Sequence, residues 1–277
     1  MTIVLTGASG FVGRQILRAL LVQGCSVRAV VRDPGRLTQF AGDARIQIFK
    51  TEDLFQEPVV RLEQLLRGAD AVIHTAWYAE PGEYLTSLRN IDCLKGTLAL
   101  ARAFVAVNGK RFVGVGSCAE YDLTVGDISV DTPLVPQSLY AACKASAFQV
   151  LQHYLVGCGV SFAWCRLFYL YGEGEDERRL IPYLRRQLRA GEEVLLTRGE
   201  QVRDFLDVAE AGRLIAAAAT SEHQGAINIC SGEGITVREL AESVADEYGR
   251  RELLRFGARA ENLFDPARVV GVPGGAG

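Results

Sequence analysis

Tyr140 and Lys144 stand four positions apart in Tyr140-Ala141-Ala142-Cys143-Lys144. On a helix that spacing puts both side chains on one face. An ammonium beside a phenol favours the phenolate and draws its pKa toward the working range. A tyrosine so placed can hand a proton to a carbonyl oxygen while hydride arrives at the carbon. Ser117, just after the β-rich run 111–116, could hold the same oxygen with its hydroxyl. With 9 tyrosines, and lysines at 50, 95, 110 and 144, chance gives such a pair about 0.1 times in this chain.

Hydride needs a carrier, and a second motif supplies a place for one. Gly7-Ala8-Ser9-Gly10-Phe11-Val12-Gly13 reads G-x-x-G-x-x-G between a β-rich run and a helical one. Gly7 allows the tight turn, Gly10 lets backbone N–H groups approach a pyrophosphate, and Gly13 lets helix and strand pack closely. The phosphate then sits at the positive end of the helix, beside Phe11 and Val12. The second β run ends in Val30-Val31, followed by Arg32 and Asp33. An acid at that point would take the ribose hydroxyls of NAD, whereas a guanidinium suits the 2′-phosphate of NADP. Arg32 therefore favours NADP(H), with NAD(H) still open because Asp33 stands one place later. Asp53 and Leu54, after the third run, are expected over the adenine.

The elements that must position these residues alternate. Apolar β-rich runs at 3–6, 26–31, 46–49, 71–75, 111–116, 160–166 and 226–229 are separated by helical patterns at 11–23, 59–67, 85–107, 139–156 and 207–219. That rhythm predicts an α/β fold, a doubly wound parallel sheet with helices on both faces. Residues 1–166 and 203–229 are expected to form the dinucleotide-binding domain, and 167–202 with 230–277 a small C-terminal substrate lobe. The stretch 256–277 has little pattern and ends in Pro-Gly-Gly-Ala-Gly, which reads as a reduced or disordered tail.

Composition narrows the function classes. The chain is 49% hydrophobic and 23% charged, with a formal net charge of −3, so it carries no basic surplus for nucleic acid. No stretch is apolar enough to span a membrane. The start of the chain lacks the pattern of a signal peptide. Seven cysteines, odd in number and without a C-x-x-C pair, suit a reduced, cytoplasmic protein. Three scattered histidines give a metal site little support.

With the glycine loop, Ser117, Tyr140 and Lys144 in place, the chain resembles the extended short-chain dehydrogenase/reductase family in its nucleotide-sugar branch, over nearly its whole length. His74-Thr75-Ala76 resembles the segment beside the cofactor, so Thr75 and Ala76 are implied as cofactor contacts. Asn90 resembles a helix asparagine of structural and proton-relay use near the cofactor, and Lys144 would also hold the nicotinamide ribose. Arg166–Gly172 resembles the segment that opens the sugar site, with Tyr169 where many members have Asn. Arg203-Asp204-Phe205 resembles the segment whose arginine meets the sugar nucleotide's diphosphate. Trp77, Tyr78, Ser117, Cys118, Tyr169 and Arg203 are the implied substrate contacts. For Trp77, Tyr78 and Cys118 the plainer reading is core packing. Members often dimerise through two long helices, here near 94–107 and 140–156, so a homodimer is expected.

Within that branch, 4,6-dehydratases carry an Asp-Glu pair directly after the serine or threonine, where Cys118 and Ala119 stand here; Glu120 comes one position late. Epimerase-reductases of the GDP-fucose type use a cysteine and a histidine, and no histidine lies in 169–179. What remains is carbonyl reduction or 4-epimerisation. The segments 76–87 and 116–122 resemble those of deoxysugar 4-ketoreductases, which implies NADPH-dependent reduction of a dTDP- or CDP-linked 4-keto-6-deoxyhexose at C4. A 4-epimerase with tightly bound NAD, a reductase of a non-sugar ketone and a non-catalytic NADP(H)-binding regulator remain as alternatives. The kept Tyr-x-x-x-Lys pair speaks against the last.

Overall fold

The computed structural model describes residues 1–261 and 265–274. In chain order its elements are β1 (Thr2–Thr6), α1 (Phe11–Val22), β2 (Ser26–Val31), β3 (Ile46–Lys50), α2 (Val59–Leu66), β4 (Ala71–His74) and α3 (Arg89–Ala106). Next come β5 (Arg111–Ser117), β6 (Asp127–Ile128), α4 (Leu139–Gly157), β7 (Ser161–Leu167), β8 (Tyr169–Tyr171), α5 (Leu180–Ala190), β9 (Val194–Leu195) and β10 (Val202–Asp207). The chain continues through α6 (Val208–Thr220), β11 (Gly225–Ile229), β12 (Gly234–Thr236), α7 (Val237–Asp246), β13 (Leu254–Arg255) and β14 (Arg268–Gly271).

Seven strands form one parallel sheet in the order β11-β7-β5-β4-β1-β2-β3. These are the seven runs read from the sequence. The inner strands are apolar on both sides, as in Val4, Leu5, Val72, Ile73, Phe112 and Val113, because helices cover both faces. One face packs α1 and α6 through Ile16, Leu17, Leu20, Ile215 and Ala216. The other packs α2, α3 and α4 through Leu65, Leu100, Phe104, Leu151 and Leu155. Successive crossovers on opposite sides of β1 leave the carboxyl ends of the strands facing a crevice, where such sheets bind ligands.

A second, smaller sheet runs β12-β10-β14-β6, with β8 pairing β10. Residues 203–207 lie in this sheet, and the chain rejoins the large sheet through α6 and β11. The patternless tail also contributes: β14 sits between β10 and β6. Asp204 explains why it can. This buried carboxylate accepts from the backbone N–H groups of Ser231, Gly232 and Gly271, so β10 organises both the turn after β11 and the last strand. The expectation of a disordered tail is thus overturned at 268–271, and its last three residues lie outside the described part. The predicted helix at 85–107 starts later, at Arg89. The Asn90 amide takes the Tyr84 and Ser87 carbonyls, which holds residues 84–88 as a loop against the helix start.

Candidate active site

The glycine loop leaves the carboxyl end of β1 and enters α1. Gly7 has φ +68° and Gly10 is the residue before the first helical turn. A Cβ on Gly13 would overlap the Gly7 carbonyl oxygen, and one on Gly7 would lie 2.9 Å from the Ala76 nitrogen. The bare backbone of this loop, with free N–H groups of the first turn aimed outward, fits a dinucleotide pyrophosphate. Thr75 and Ala76 close its other side: the Thr75 hydroxyl donates to the Thr6 carbonyl, and the Ala76 N–H to the Thr6 hydroxyl at 3.3 Å.

At the end of β2, Arg32 is exposed and makes no ion pair among the described residues. Asp33 is turned away from it, accepting from the Gly35 N–H at 2.9 Å as an N-cap. Asp53 likewise caps a turn through the Phe55 N–H and pairs with Arg89 at 3.3 Å, while Leu54 is buried beneath it. Asn90 is not open to a ligand. Its oxygen accepts from the Trp77 indole and both amide hydrogens go to the 84–88 loop, so its role is to hold that loop.

Ser117 ends β5 at the carboxyl edge. Its Oγ accepts from the Ala119 N–H at 3.2 Å, which leaves the hydroxyl hydrogen for another oxygen. Tyr140 and Lys144 share a face of α4, which Ser138 caps by accepting from the Ala141 N–H. Tyr140 is clamped by its surroundings. Its backbone N–H donates to the Leu85 carbonyl, and Tyr84 packs edge-on against its ring at 4.9 Å. Lys144 is buried; its Nζ donates to the Val115 carbonyl at 2.6 Å and lies 3.9 Å from the centre of the Trp77 ring.

The electrostatics correct one expectation. Burial pushes the Tyr140 phenol above its usual value, Tyr84 adds to the rise, and the nearby Ser117 hydroxyl opposes it. The Lys144 ammonium is turned to the Val115 carbonyl and the Trp77 ring. Burial lowers Lys144 itself to about 8, against the opposing charge of Glu120. His74, held between the Thr6 and Thr97 hydroxyls at 2.8 and 2.9 Å, is pushed down to about 3 by burial and then by Lys144, so it is neutral. Burial raises the Cys118 thiol to about 12.

The expected substrate contacts divide. Trp77 packs on Lys144 and, at 6.4 Å, on Tyr140, so it buttresses the reacting pair. Tyr78 points to Glu83 and lies under Arg89. Tyr169, Cys118 and Arg203 sit together: the guanidinium lies 5.4 Å from the Tyr169 ring centre. Arg203 is 3% exposed and pairs with Asp265 at 2.6 Å, so its charge is already answered within the protein. Arg179, before α5, is exposed and makes no ion pair among the described residues.

Neither Tyr84 nor Glu120 is among the site residues expected from the sequence. Glu120 is fully buried and carries out a capping box with Ser117, a Ser-x-x-Glu pattern that was there to be read. Tyr84 lies in a loop without periodicity, and only the fold brings it to Tyr140.

A Rossmann sheet with a phosphate-binding glycine loop and a Ser/Tyr/Lys set at its carboxyl edge defines an NAD(P)-dependent enzyme of the extended short-chain dehydrogenase/reductase class. The chain belongs to the NAD dependent epimerase/dehydratase family, whose family model matches residues 3–230. It is similar to a dTDP-6-deoxy-L-talose 4-dehydrogenase (NAD(+)) of Aggregatibacter actinomycetemcomitans, 24% identical, with 98% of this chain and 99% of that protein covered. A dTDP-glucose 4,6-dehydratase of Streptomyces griseus is 29% identical over 96% of this chain and 86% of its own length. Among solved structures, a UDP-N-acetylglucosamine 4-epimerase of Methanobrevibacter ruminantium M1 superposes with a TM-score of 0.87 at 26% identity, covering 98% of this chain and 89% of that one. The chain is accordingly a nucleotide-sugar-modifying enzyme. The three named carry out three different reactions, so the choice among reactions rests on the site.

Proposed function

We propose that this enzyme reduces the C4 ketone of a dTDP- or CDP-linked 4-keto-6-deoxyhexose with NADPH. One observation carries the reading: Tyr140 is the acid the site leaves available for transfer, and it is held neutral. Glu120, the carboxyl nearest Ser117 in sequence, is bonded to Ser117 N–H, Trp164 and Arg166, and the Cys118 thiol is raised far above neutrality. Eliminating water, or inverting C3 and C5, needs a second acid and base that these two residues do not offer. A neutral phenol suits a reaction that begins by giving up a proton, as reduction does. The exposed Arg32 suits a dissociable NADPH consumed at each turnover rather than the tightly held NAD of a 4-epimerase.

The glycine loop, Thr75, Ala76 and Lys144 would hold the cofactor, and Arg32 its 2′-phosphate. When bound, NADPH supplies hydride to C4. Tyr140 gives its proton to the developing alkoxide, Ser117 donates its free hydroxyl hydrogen to the same oxygen, and Lys144 stabilises the tyrosinate left behind. Of Arg179 and Arg203, the exposed Arg179, without an ion pair among the described residues, is the one left free to meet a diphosphate. A second copy of the chain is proposed to pack along α3 and α4, over the exposed Val150 and Val156 of α4, and a monomer mass by light scattering would rule that out.

The test offers dTDP-, CDP-, GDP- and UDP-linked 4-keto-6-deoxyglucose with NADPH and, in parallel, NADH. Rapid stoichiometric loss of NADPH with the dTDP or CDP sugar is expected. Arg32→Ala should raise KM for NADPH about tenfold and leave KM for NADH unchanged, since one charge-assisted phosphate contact is removed. Offered the 4-hydroxy nucleotide sugars with NAD instead, interconversion of C4 epimers without net cofactor consumption would establish the epimerase.

A further inference from the structure

Glu120 has no exposed surface and yet carries a full complement of bonds. Its Oε1 accepts from the Ser117 backbone N–H at 2.8 Å and from the Trp164 indole at 3.0 Å. Its Oε2 accepts from Arg166 Nε at 2.7 Å. The chain keeps room for it: a Cβ on Gly116 would overlap the Trp164 indole nitrogen and the Glu120 carboxylate. Arg166 is pinned in turn, its guanidinium 4.4 Å from both the Tyr121 and Phe148 ring centres. Its Nη1 donates to the Tyr121 hydroxyl at 2.8 Å, and that hydroxyl donates to Asn228 Oδ1 at 2.8 Å. The Asn228 amide reaches the carbonyls of Ile128 in β6 and Val272 after β14. Arg166 Nη2 is buried without a partner among the described residues, so the Glu120 carboxylate is what answers this cation.

We propose that Glu120 is the positioning residue of this active site: its carboxylate fixes Ser117 on the end of β5 and, through Arg166, Tyr121 and Asn228, ties the serine to the second sheet. A buried ion pair adds little net stability, so its retention calls for another use, and holding a reacting hydroxyl in register is such a use. The same charge acts on Lys144. Lys144 is faced by Glu120, by the Cys93 thiol of α3 and by His74 of β4, and Glu120 is the larger of the influences that keep it protonated against burial. Glu120 itself is faced by Arg166 of β7, by Cys118 and Tyr121 of its own turn, and by Tyr140 and Lys144 of α4.

The proposal rests on the reductase reading for its kinetic readouts alone, and two variants with two kinds of measurement separate the claims. Glu120→Gln keeps the shape and removes the charge; Tyr121→Phe removes only the hydroxyl between Arg166 and Asn228. In Glu120→Gln, kcat should fall about tenfold or more with KM for both substrates within about twofold, the loss expected for one charge-assisted bond. Because the charge that raises Lys144 is gone, the high-pH limb of kcat should move to lower pH. A role confined to stability would lower Tm and leave kcat per folded molecule and this limb where they were, and that result overturns the proposal. If Glu120→Gln does not fold, Tyr121→Phe decides, with an expected loss of about threefold in kcat. Hydrogen exchange at the Ser117 amide needs no turnover. It should quicken about tenfold in either variant relative to amides of α1, as the bond that protects it is loosened. A wild-type chain inactive on every 4-keto sugar would sink the reductase reading, and Ser117 exchange would still judge Glu120: unchanged protection in both variants contradicts the proposal.

Discussion

A neutral phenol at Tyr140 is a donor. Burial and the edge of Tyr84 hold it in that form, and the Ser117 hydroxyl, already accepting from Ala119, has its hydrogen free for the same oxygen. Tyr140→Phe should therefore lose about a hundredfold or more in kcat while NADPH binding, read by fluorescence, stays unchanged. Wild-type turnover in that variant would remove Tyr140 from the chemistry. His74 gives a second residue-scale expectation. Its folded pKa lies near 3, below that of the unfolded chain, so the unfolded state takes up the proton first. Stability is then lost as pH falls from about 6.5 toward 3, the range between the free imidazole and the buried one. Thermal melts from pH 7 to 5 should show a steeper fall in Tm for wild type than for His74→Gln. Parallel lines would mean that His74 is as easily protonated when folded as when unfolded.

At the scale of elements, glycines decide how closely backbones meet. Gly212 of α6 faces α1, and a Cβ there would lie 2.6 Å from the Gln15 carbonyl carbon and 2.9 Å from the Ile16 nitrogen. Neither is a flexible side-chain end, so Gly212→Ala must push α6 from α1. We expect a loss of about 2 kcal/mol or more, read as a lower denaturation midpoint at unchanged slope, in spite of alanine's better helix propensity. A neutral or stabilising effect would show that the helices have slack. The strands and most helices were legible because short apolar runs of β-branched and aromatic residues such as Val72-Ile73 and Phe112-Val113, set between longer helical patterns, suit strands buried on both faces. The start of α3 was not, because the competition is between helical hydrogen bonds and the Asn90 side chain, a contest that periodicity does not record. The glycine loop was legible as a motif, whereas the function of Asn90 as a loop anchor and the outward turn of Tyr78 depended on partners, Trp77 and Glu83, whose side-chain directions a sequence does not give.

Over the whole molecule, the large sheet places the reacting groups and the small sheet closes around them. Residues 256–277 showed no period because β14 is only four residues long and is held by Asp204, a contact across more than sixty positions. The same distance hides the pairing of Arg203 with Asp265. Ser117, Tyr140 and Lys144 were legible as candidates because spacing and chemistry coincide in them. Their electrostatic setting was not, since burial and the direction of the Lys144 ammonium belong to the folded chain. Among the described residues no helix is long and apolar enough to cross a membrane, and the seven cysteines are unpaired.

C4 reduction is decided by a single turnover with NADPH deuterated at its transferable hydrogen and dTDP-4-keto-6-deoxyglucose, or its CDP counterpart, followed by NMR of the product. Reduction at C4 predicts one NADPH consumed per sugar and deuterium on C4, and, in a parallel run with unlabelled NADPH in D2O, no deuterium taken up at C3 or C5. A product without deuterium at C4, or recovery of the 4-keto sugar with NADPH unconsumed, would contradict it.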